Sequence, residues 1–314
     1  MKRYAVIDFS ISSISLLIAC VDGTRMEVET RFRTAWTKEE DHNYDDDFYK
    51  IVLAETKSTI KTCINNKVDY LYIIASSTIG STSKMLEILN KVEEELKLKI
   101  HILTKDEEAI ARLSANERYK ILQNTVLIDF GSLNSKLYSF SSFTKHIDIG
   151  PESLFKEYVE EILPTSLEAL AMKEKIREVL ADDELTSKDF FDNAVLSSVY
   201  SLDLYKLYAN RFNIQHEHGE KIIQYKKLKK LCKYLVENKN SSMLILQETP
   251  ELAREVIPTA LLAKEIVKRF NVNNIIISDF GIKEGLIKEI INNNFEIEGT
   301  KLDELKWKFN TLWE

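Results

Sequence analysis

Two short apolar stretches open the chain, Tyr4 to Phe9 and Ile14 to Cys20, separated by a serine-rich turn; their lengths predict two strands. Asp22-Gly23 is a hairpin signal, and beyond it Met26, Val28, Thr30 and Phe32 recur at every second position, as on one face of a half-buried strand. An acidic stretch, Glu39 to Asp47, leads into a helical segment from about Phe48 to Asn65. Leu71 to Ala75 reads as a strand, and Met85, Ile88, Leu89, Val92 and Leu96 recur at helical spacing. Ile100 to Thr104 is a further strand. Asp106 is expected to open the next helix as its N-cap, with Glu107 and Glu108 in the first turn.

The pattern then restarts. Thr125 to Phe130, Ser135 to Phe140 and Thr144 to Ile149 predict three strands, followed by a helix with Leu154, Phe155, Tyr158, Val159 and Ile162 on one face. Ile7-Asp8-Phe9 and Ile128-Asp129-Phe130 lie 121 residues apart, with Leu16 and Leu137 in register after them, which suggests a duplicated α/β unit. Helices are expected near Ser166–Leu180, Leu202–Phe212, Tyr225–Asn238 and Pro258–Phe270, and buried strands at Ala194–Val199 and Asn274–Asp279. The expected boundary lies near Ile121, giving domains 1–121 and 122–314. The tail from Lys301, with Leu302, Leu305, Trp307, Phe309 and Trp313, is expected to dock back on the first domain.

Composition narrows the function. With 314 residues, 44% apolar and 30% charged, the chain is of an ordinary globular kind and long enough for two domains. No apolar run approaches the length of a membrane span. A net charge of -7 argues against a protein that grips nucleic-acid phosphates over its surface. Cys20, Cys63 and Cys232 are odd in number and far apart, so no disulfide framework or zinc cluster is implied; a reduced, cytoplasmic setting is expected. Leu17-Ile18-Ala19-Cys20 has the look of a lipoprotein cleavage box, but Asp8 and the serines before it suit a strand and turn better than a signal segment. Glycine is scarce, 8 residues in all, which limits how many glycine-rich loops the chain can build.

The repeated Asp is the candidate chemistry. An aspartate at a strand end followed by a turn can hold a hydrated magnesium ion or a water while the turn's N–H groups cradle phosphate oxygens. Asp8 and Asp129 have that position, and the alternative is that both merely cap turns.

Five stretches resemble the exopolyphosphatase/guanosine pentaphosphate phosphohydrolase (Ppx/GppA) family. Ala5 to Leu17, AVIDFSISSISLL, sits where the family has D-x-G-S-N-S-x-R-L, and ASSTIG at 75–80 sits where it has A-T-S-A-x-R. Asp106-Glu107-Glu108-Ala109 matches its E-E-A helix start, and IDFGSLNSKL at 128–137 its I-D-x-G-G-G-S-T-E turn. SDFGIKEGLI at 278–287 resembles its G-x-R-E-G-L segment. The resemblance implies two actin-like (ribonuclease H-like) α/β domains with a cleft between them, and hydrolysis of a terminal phosphoanhydride of polyphosphate or guanosine pentaphosphate. It implies Glu108 as the base and Asp129 beside it in catalysis, Mg2+ at Asp8 and Asp129, and phosphate held by Ser12, Ser13, Gly131, Ser132, Asn134 and Lys136. A homodimer is expected on the same ground alone; no nucleic-acid or membrane partner is.

The departures point the other way. Ser10, Ser12 and Ser15 stand where the family has Gly, Asn and Arg, and Gly80 replaces an arginine used on the phosphate chain. Ser132 and Leu133 replace two glycines, Lys136 stands where the family has a metal-binding Glu, and Ser197-Ser198-Val199 falls on a later G-G-T turn. Losing an arginine removes a charge-assisted grip on phosphate, and Lys for Glu weakens a cation site while favouring an anion. Two readings follow: a divergent phosphatase of low or altered activity, and a catalytically silent phosphate-binding or regulatory protein of the same fold. Glu108 itself reads either as a base or as a helix-start carboxylate.

Other candidates rank below these. His216 and His218 are too few for a metal site. Lys226, Lys227, Lys229, Lys230 and Lys233 read as the solvated face of a helix, and Tyr200, Tyr205 and Tyr208 as packing.

Overall fold

In a computed structural model, every residue is described except 37–43, 81, 142–143, 183–190, 216–218 and 313–314. Part of the acidic stretch, together with His216, His218 and Trp313, lies outside the described residues. The chain forms two compact units, Met1–Ala115 with Ile282–Glu314, and Asn116–Gly281. These limits differ from the expected boundary near Ile121, and the returning segment begins at Ile282, well before the tail.

The first unit contains strands β1 (Lys2–Ser10), β2 (Ser13–Asp22), β3 (Arg25–Ala35), β4 (Tyr70–Ala75) and β5 (His101–Ile102), with helices α1 (Asp46–Asn65), α2 (Ser77–Gly80), α3 (Ser83–Leu96) and α4 (Lys105–Ala115) between or after them. The second contains β6 (Thr125–Phe130), β7 (Ser135–Ser139), β8 (Thr144–Ile147), α5 (Pro151–Tyr158), α6 (Ser166–Asp182), β9 (Asn193–Leu196), α7 (Val199–Arg211), β10 (Lys221–Gln224), α8 (Tyr225–Glu237), α9 (Ser241–Glu248), α10 (Val256–Arg269) and β11 (Asn274–Ile277). The chain then returns to the first unit as α11 (Ile282–Ile291), β12 (Thr300–Lys301) and α12 (Leu302–Leu312).

In the first unit the sheet order is β12-β4-β1-β2-β3, with β5 beside β4. β1, β4 and β5 run parallel, β2 and β3 antiparallel to their neighbours, and β12 closes the β4 edge antiparallel. The period of two splits the strands' side chains between two cores. Ala5, Ile7, Phe9, Leu16 and Ile18 pack with α1, α3 and Leu305 of α12, while Val6, Leu17, Ala19 and Ile74 pack with Ala111 of α4 and Leu286 of α11. Leu305 of α12 is fully buried in the first of these cores. α1 starts on the acidic stretch: Asp45 Oδ1 accepts the Asp47 and Phe48 N–H groups at 3.1 and 3.0 Å, with Asp46 and Asp47 favourably placed at the positive end of the helix dipole.

The second unit has the order β10-β11-β9-β6-β7-β8, with β6, β9 and β11 parallel. Both sheets are therefore a three-strand antiparallel meander continued by two more parallel strands, with an antiparallel strand at the far edge. The predicted repeat is structural: Ile7 lies opposite Leu16, and Ile128 opposite Leu137. The lysines of α8 face outward while Leu228, Leu231 and Leu235 are buried, and Tyr205 stacks on Tyr208 at 6.1 Å inside the core.

Some elements differ from the sequence expectation. The helix begun at Pro151 ends at Tyr158, and Ile162 is 61% exposed; Pro164 disfavours helical backbone just before it. The strand expected to reach Val199 stops at Leu196, because Ser198 accepts the Ser201 N–H as the N-cap of α7. Asp106 is not the cap of α4. Thr104 and Glu107 are joined by reciprocal bonds, the Glu107 N–H donating to Thr104 Oγ1 at 3.1 Å and the Thr104 N–H to Glu107 Oε2 at 2.8 Å, a capping box.

Candidate functional site

In each unit the polar turns gather at the carboxyl ends of the parallel strands, where the backbone stops pairing within the sheet and open α/β sheets bind ligands.

In the first unit, β1 turns into β2 through Ile11 and Ser12, with Ser10 opposite Ser13. The Ser10 hydroxyl lies 2.8 Å from Ser13 Oγ, and Ser12 O accepts the Trp36 N–H at 3.0 Å. Arg33, on β3 directly opposite Ser15, donates its Nε–H to Ser13 Oγ at 3.0 Å. Asp8 is mostly buried, and Lys283, at the start of α11, places Nζ 3.6 Å from Asp8 Oδ2 and donates to Ser15 Oγ at 2.8 Å. The neighbouring Glu284 is buried and paired with Arg31 of β3 at 2.6 Å, which pins this end of α11 to the sheet.

The next strand end supplies the 76–80 turn. The Ser76 N–H donates to Phe9 O at 3.0 Å, tying the turn to β1. The Ser77 N–H donates to Glu108 Oε1 at 2.8 Å, and Glu108 is 1% exposed. Two adjacent glutamates thus have different work. Glu107 is half-buried, and burial pushes its carboxyl upward, but the Thr104 N–H and hydroxyl and His101 outweigh that and hold it below the ordinary carboxylate range. Glu108 turns inward to the strand ends. Gly80 is not demanded by packing: a Cβ there would meet only Ile102 Cγ2, at an ordinary 3.4 Å.

In the second unit, Asp129 and Lys136 are buried and face each other across the β6–β7 ladder, where side chains of opposite residues are close neighbours. The turn between them is longer, Gly131 to Asn134, closed by the Gly131 N–H on Asn134 O at 2.9 Å. Ser132 O accepts the Glu152 and Ser153 N–H groups at 3.0 and 3.2 Å, so the start of α5 grips the turn itself. Ser132 Oγ lies 2.9 Å from the Tyr200 hydroxyl. Gly150 is what allows this approach: a Cβ there would stand 2.4 Å from both Gly131 O and Ser132 O. At the two other parallel strand ends, Ser197 Oγ donates to Phe280 O at 2.6 Å and Asn116 Nδ2 to the same carbonyl at 3.3 Å.

Asp8, Ser12, Ser13 and Glu108 thus lie at one sheet end of the first unit, and Asp129, Gly131, Ser132, Asn134 and Lys136 at the corresponding end of the second. The donor set suits a divalent cation poorly within either unit. Asp8 has an ammonium beside it, Asp129 has one opposite, and no three His, Cys, Asp or Glu side chains gather as ligands among the described residues. Arg33 escaped the sequence reading, and Lys283 entered it only as part of a matched segment. The signal for Arg33 was available in the hairpin register, which sets it across from Ser15.

The Ppx/GppA phosphatase family model matches residues 18–294. Among solved structures, the Aquifex aeolicus Ppx/GppA family member is 18% identical and superposes with a TM-score of 0.73, over 94% of this chain and 99% of that one. An exopolyphosphatase from Cytophaga hutchinsonii is 15% identical with a TM-score of 0.80, over 93% and 98%. These likenesses show the two-domain, actin-like α/β fold. No curated protein sequence matches the chain.

Proposed function

Because the chain belongs to the Ppx/GppA phosphatase family, we propose that it hydrolyses the terminal phosphoanhydride of polyphosphate or guanosine pentaphosphate, at a rate reduced by its altered turns. Glu108 takes a proton from the attacking water as its oxygen bonds to the terminal phosphorus. The bond to the bridging oxygen breaks, and the electron pair leaves with the shortened chain. By the family resemblance Asp129 also serves in catalysis, and Ser12, Ser13, Gly131, Ser132, Asn134 and Lys136 hold phosphate oxygens. No step is assigned to a metal, since Lys283 and Lys136 already supply positive charge to the two aspartates.

The observation that supports this reading is Glu108: a nearly inaccessible carboxylate, oriented by the Ser77 N–H at 2.8 Å, at the strand ends that also carry Asp8. General base catalysis contributes about 10²–10⁴-fold. Phosphate release from polyphosphate and guanosine pentaphosphate, assayed with magnesium, manganese or EDTA, is expected to fall at least about 100-fold in Glu108→Gln and to be lost in Asp129→Asn. Wild-type turnover by Glu108→Gln would remove the base from this scheme.

The Lys283–Asp8 ion pair favours a second reading, a phosphate-binding protein without turnover. Release absent from wild type under all three conditions, with phosphate binding retained, would select it.

A further inference from the structure

The first turn has lost the arginine that the resembling family carries at position 15, yet two cations converge on it from elsewhere in the unit. Arg33 reaches it from the neighbouring strand and Lys283 from the start of α11, an element 268 residues further along than the serine it touches. Arg33 Nε is held by Ser13 Oγ at 3.0 Å, and its Nη1 is buried with no hydrogen-bond partner among the described residues. A buried guanidinium N–H without an acceptor is costly, so this nitrogen marks an unmet demand for an oxygen. Lys283 Nζ lies 2.8 Å from Ser15 Oγ and 3.6 Å from Asp8 Oδ2, held between a hydroxyl and a carboxylate at the same turn. The Arg31–Glu284 pair fixes the helix end that carries it.

We propose that Arg33 and Lys283 are the oxyanion grip of this turn, binding a terminal phosphate group without a divalent cation. The inference rests on the reading of the turn as a phosphate turn and adds to it the groups that do the holding. The guanidinium fork suits two phosphate oxygens at once, and its Ser13 contact presets its orientation. Lys283 offsets the charge of Asp8, so the carboxylate does not repel the incoming anion. The serines at positions 10, 13 and 15 serve here as the hydroxyl scaffold that seats the two cations, in place of a glycine-rich backbone cradle.

Calorimetric titration of the full chain with sodium tripolyphosphate in EDTA tests this. Wild type is expected to bind. Arg33→Ala and Lys283→Ala are each expected to weaken binding tenfold or more, and Arg33→Lys, which keeps the charge but loses the fork, by less than Arg33→Ala. Arg33→Gln retains a donor for Ser13 without the charge, so its thermal midpoint should stay near wild type while its binding falls with that of Arg33→Ala. Unchanged affinity in Arg33→Ala, no binding by wild type, or binding that appears only when magnesium replaces EDTA would each overturn the proposal. Its failure is separable from that of the hydrolase reading. Phosphate release by Arg33→Ala at wild-type KM sinks the grip and leaves hydrolysis standing. Binding that depends on Arg33 with no turnover of any phosphate compound does the reverse.

Discussion

The hairpin after β1 and the hairpin after β6 have the same ladder, Ile7 opposite Leu16 and Ile128 opposite Leu137, and each begins from a strand-end aspartate. They differ in what surrounds that aspartate. Around Asp8 the position opposite is Ser15, and the positive charge comes from Lys283 of a distant helix. Around Asp129 the position opposite is itself a lysine, Lys136, buried in the sheet. The first turn is short and is held by the Arg33 and Trp36 side chains with the Trp36 N–H on Ser12 O; the second is longer and is clasped mainly by backbone, with the N–H groups of Glu152 and Ser153 on Ser132 O. A duplicated unit can thus keep its ladder while placing an ammonium beside the aspartate by two routes. One is an exchangeable tertiary contact and the other is built into the strand.

That contrast can be broken experimentally. Lys136→Ala should be the most damaging change, because it strips a buried carboxylate of the charge facing it; a loss of about 3–5 kcal/mol in denaturant unfolding is expected. Asp129→Asn in the same chain should restore most of it. Ser15→Ala, at the equivalent position of the first hairpin, should cost less, about 1–2 kcal/mol, since it removes the hydrogen bond from Lys283 Nζ and a long one to Asp8 O but leaves the Lys283–Asp8 pair in place. Equal losses from the two substitutions would erase the distinction between the turns. Gly150→Ala should follow Lys136→Ala in size, at about 1–3 kcal/mol, because its Cβ meets two carbonyl oxygens and the α5 start must shift away from the turn. Hydrogen exchange at Glu152 and Ser153 should rise in that variant while exchange at Trp36 does not.

The smallest effect expected is an acid one, at the Glu107 capping box beside the candidate base. The Glu107 carboxyl is held below its ordinary value when folded, so its contribution to stability is present above the unfolded value of about 4.3 and is lost as pH falls through the lowered folded value. Glu107→Gln should therefore be less stable than wild type at pH 6 and converge with it toward about pH 3. A constant difference across that range would mean the capping bonds, and not the charge, account for Glu107.

The repeated hairpin was legible because it is local: a few apolar positions, one Asp and a turn fix both strands and their register. The acidic helix start at 106–108 was legible from its residue types, while Glu108 as a base came from the family resemblance alone; its neighbour Glu107 was the one that turned outward to cap. What could not be read was long-range or very short. β12 and β10 are edge strands of two and four residues, whose pairing depends on the strands they meet. α5 ends at Tyr158, four residues before its apolar pattern does at Ile162, and nothing in that pattern marked the stop; the proline at 164 restricts only the residue just before it. Lys283 reaches Asp8 through the packing of α11, which is pinned to the sheet by Arg31–Glu284 and lies so close on α4 that a Cβ on Gly285 would stand 1.6 Å from Ala111 O. No spacing in the sequence encodes that closeness, although the glycine that permits it was visible as a letter.

The return of the chain to the first unit has a consequence for its synthesis. The second unit is contiguous, Asn116–Gly281, and every strand of its sheet has been synthesised before Ile282 is added. The first unit begins earlier and finishes last: β4 lacks its β12 neighbour, one face of the sheet lacks Leu286 and Ile287, and the other lacks Leu305 until the final segment emerges. A chain released after Gly281 therefore contains every strand of the second unit's sheet but an open edge in the first, and Lys283, which pairs with Asp8, arrives only after both hairpins have been translated.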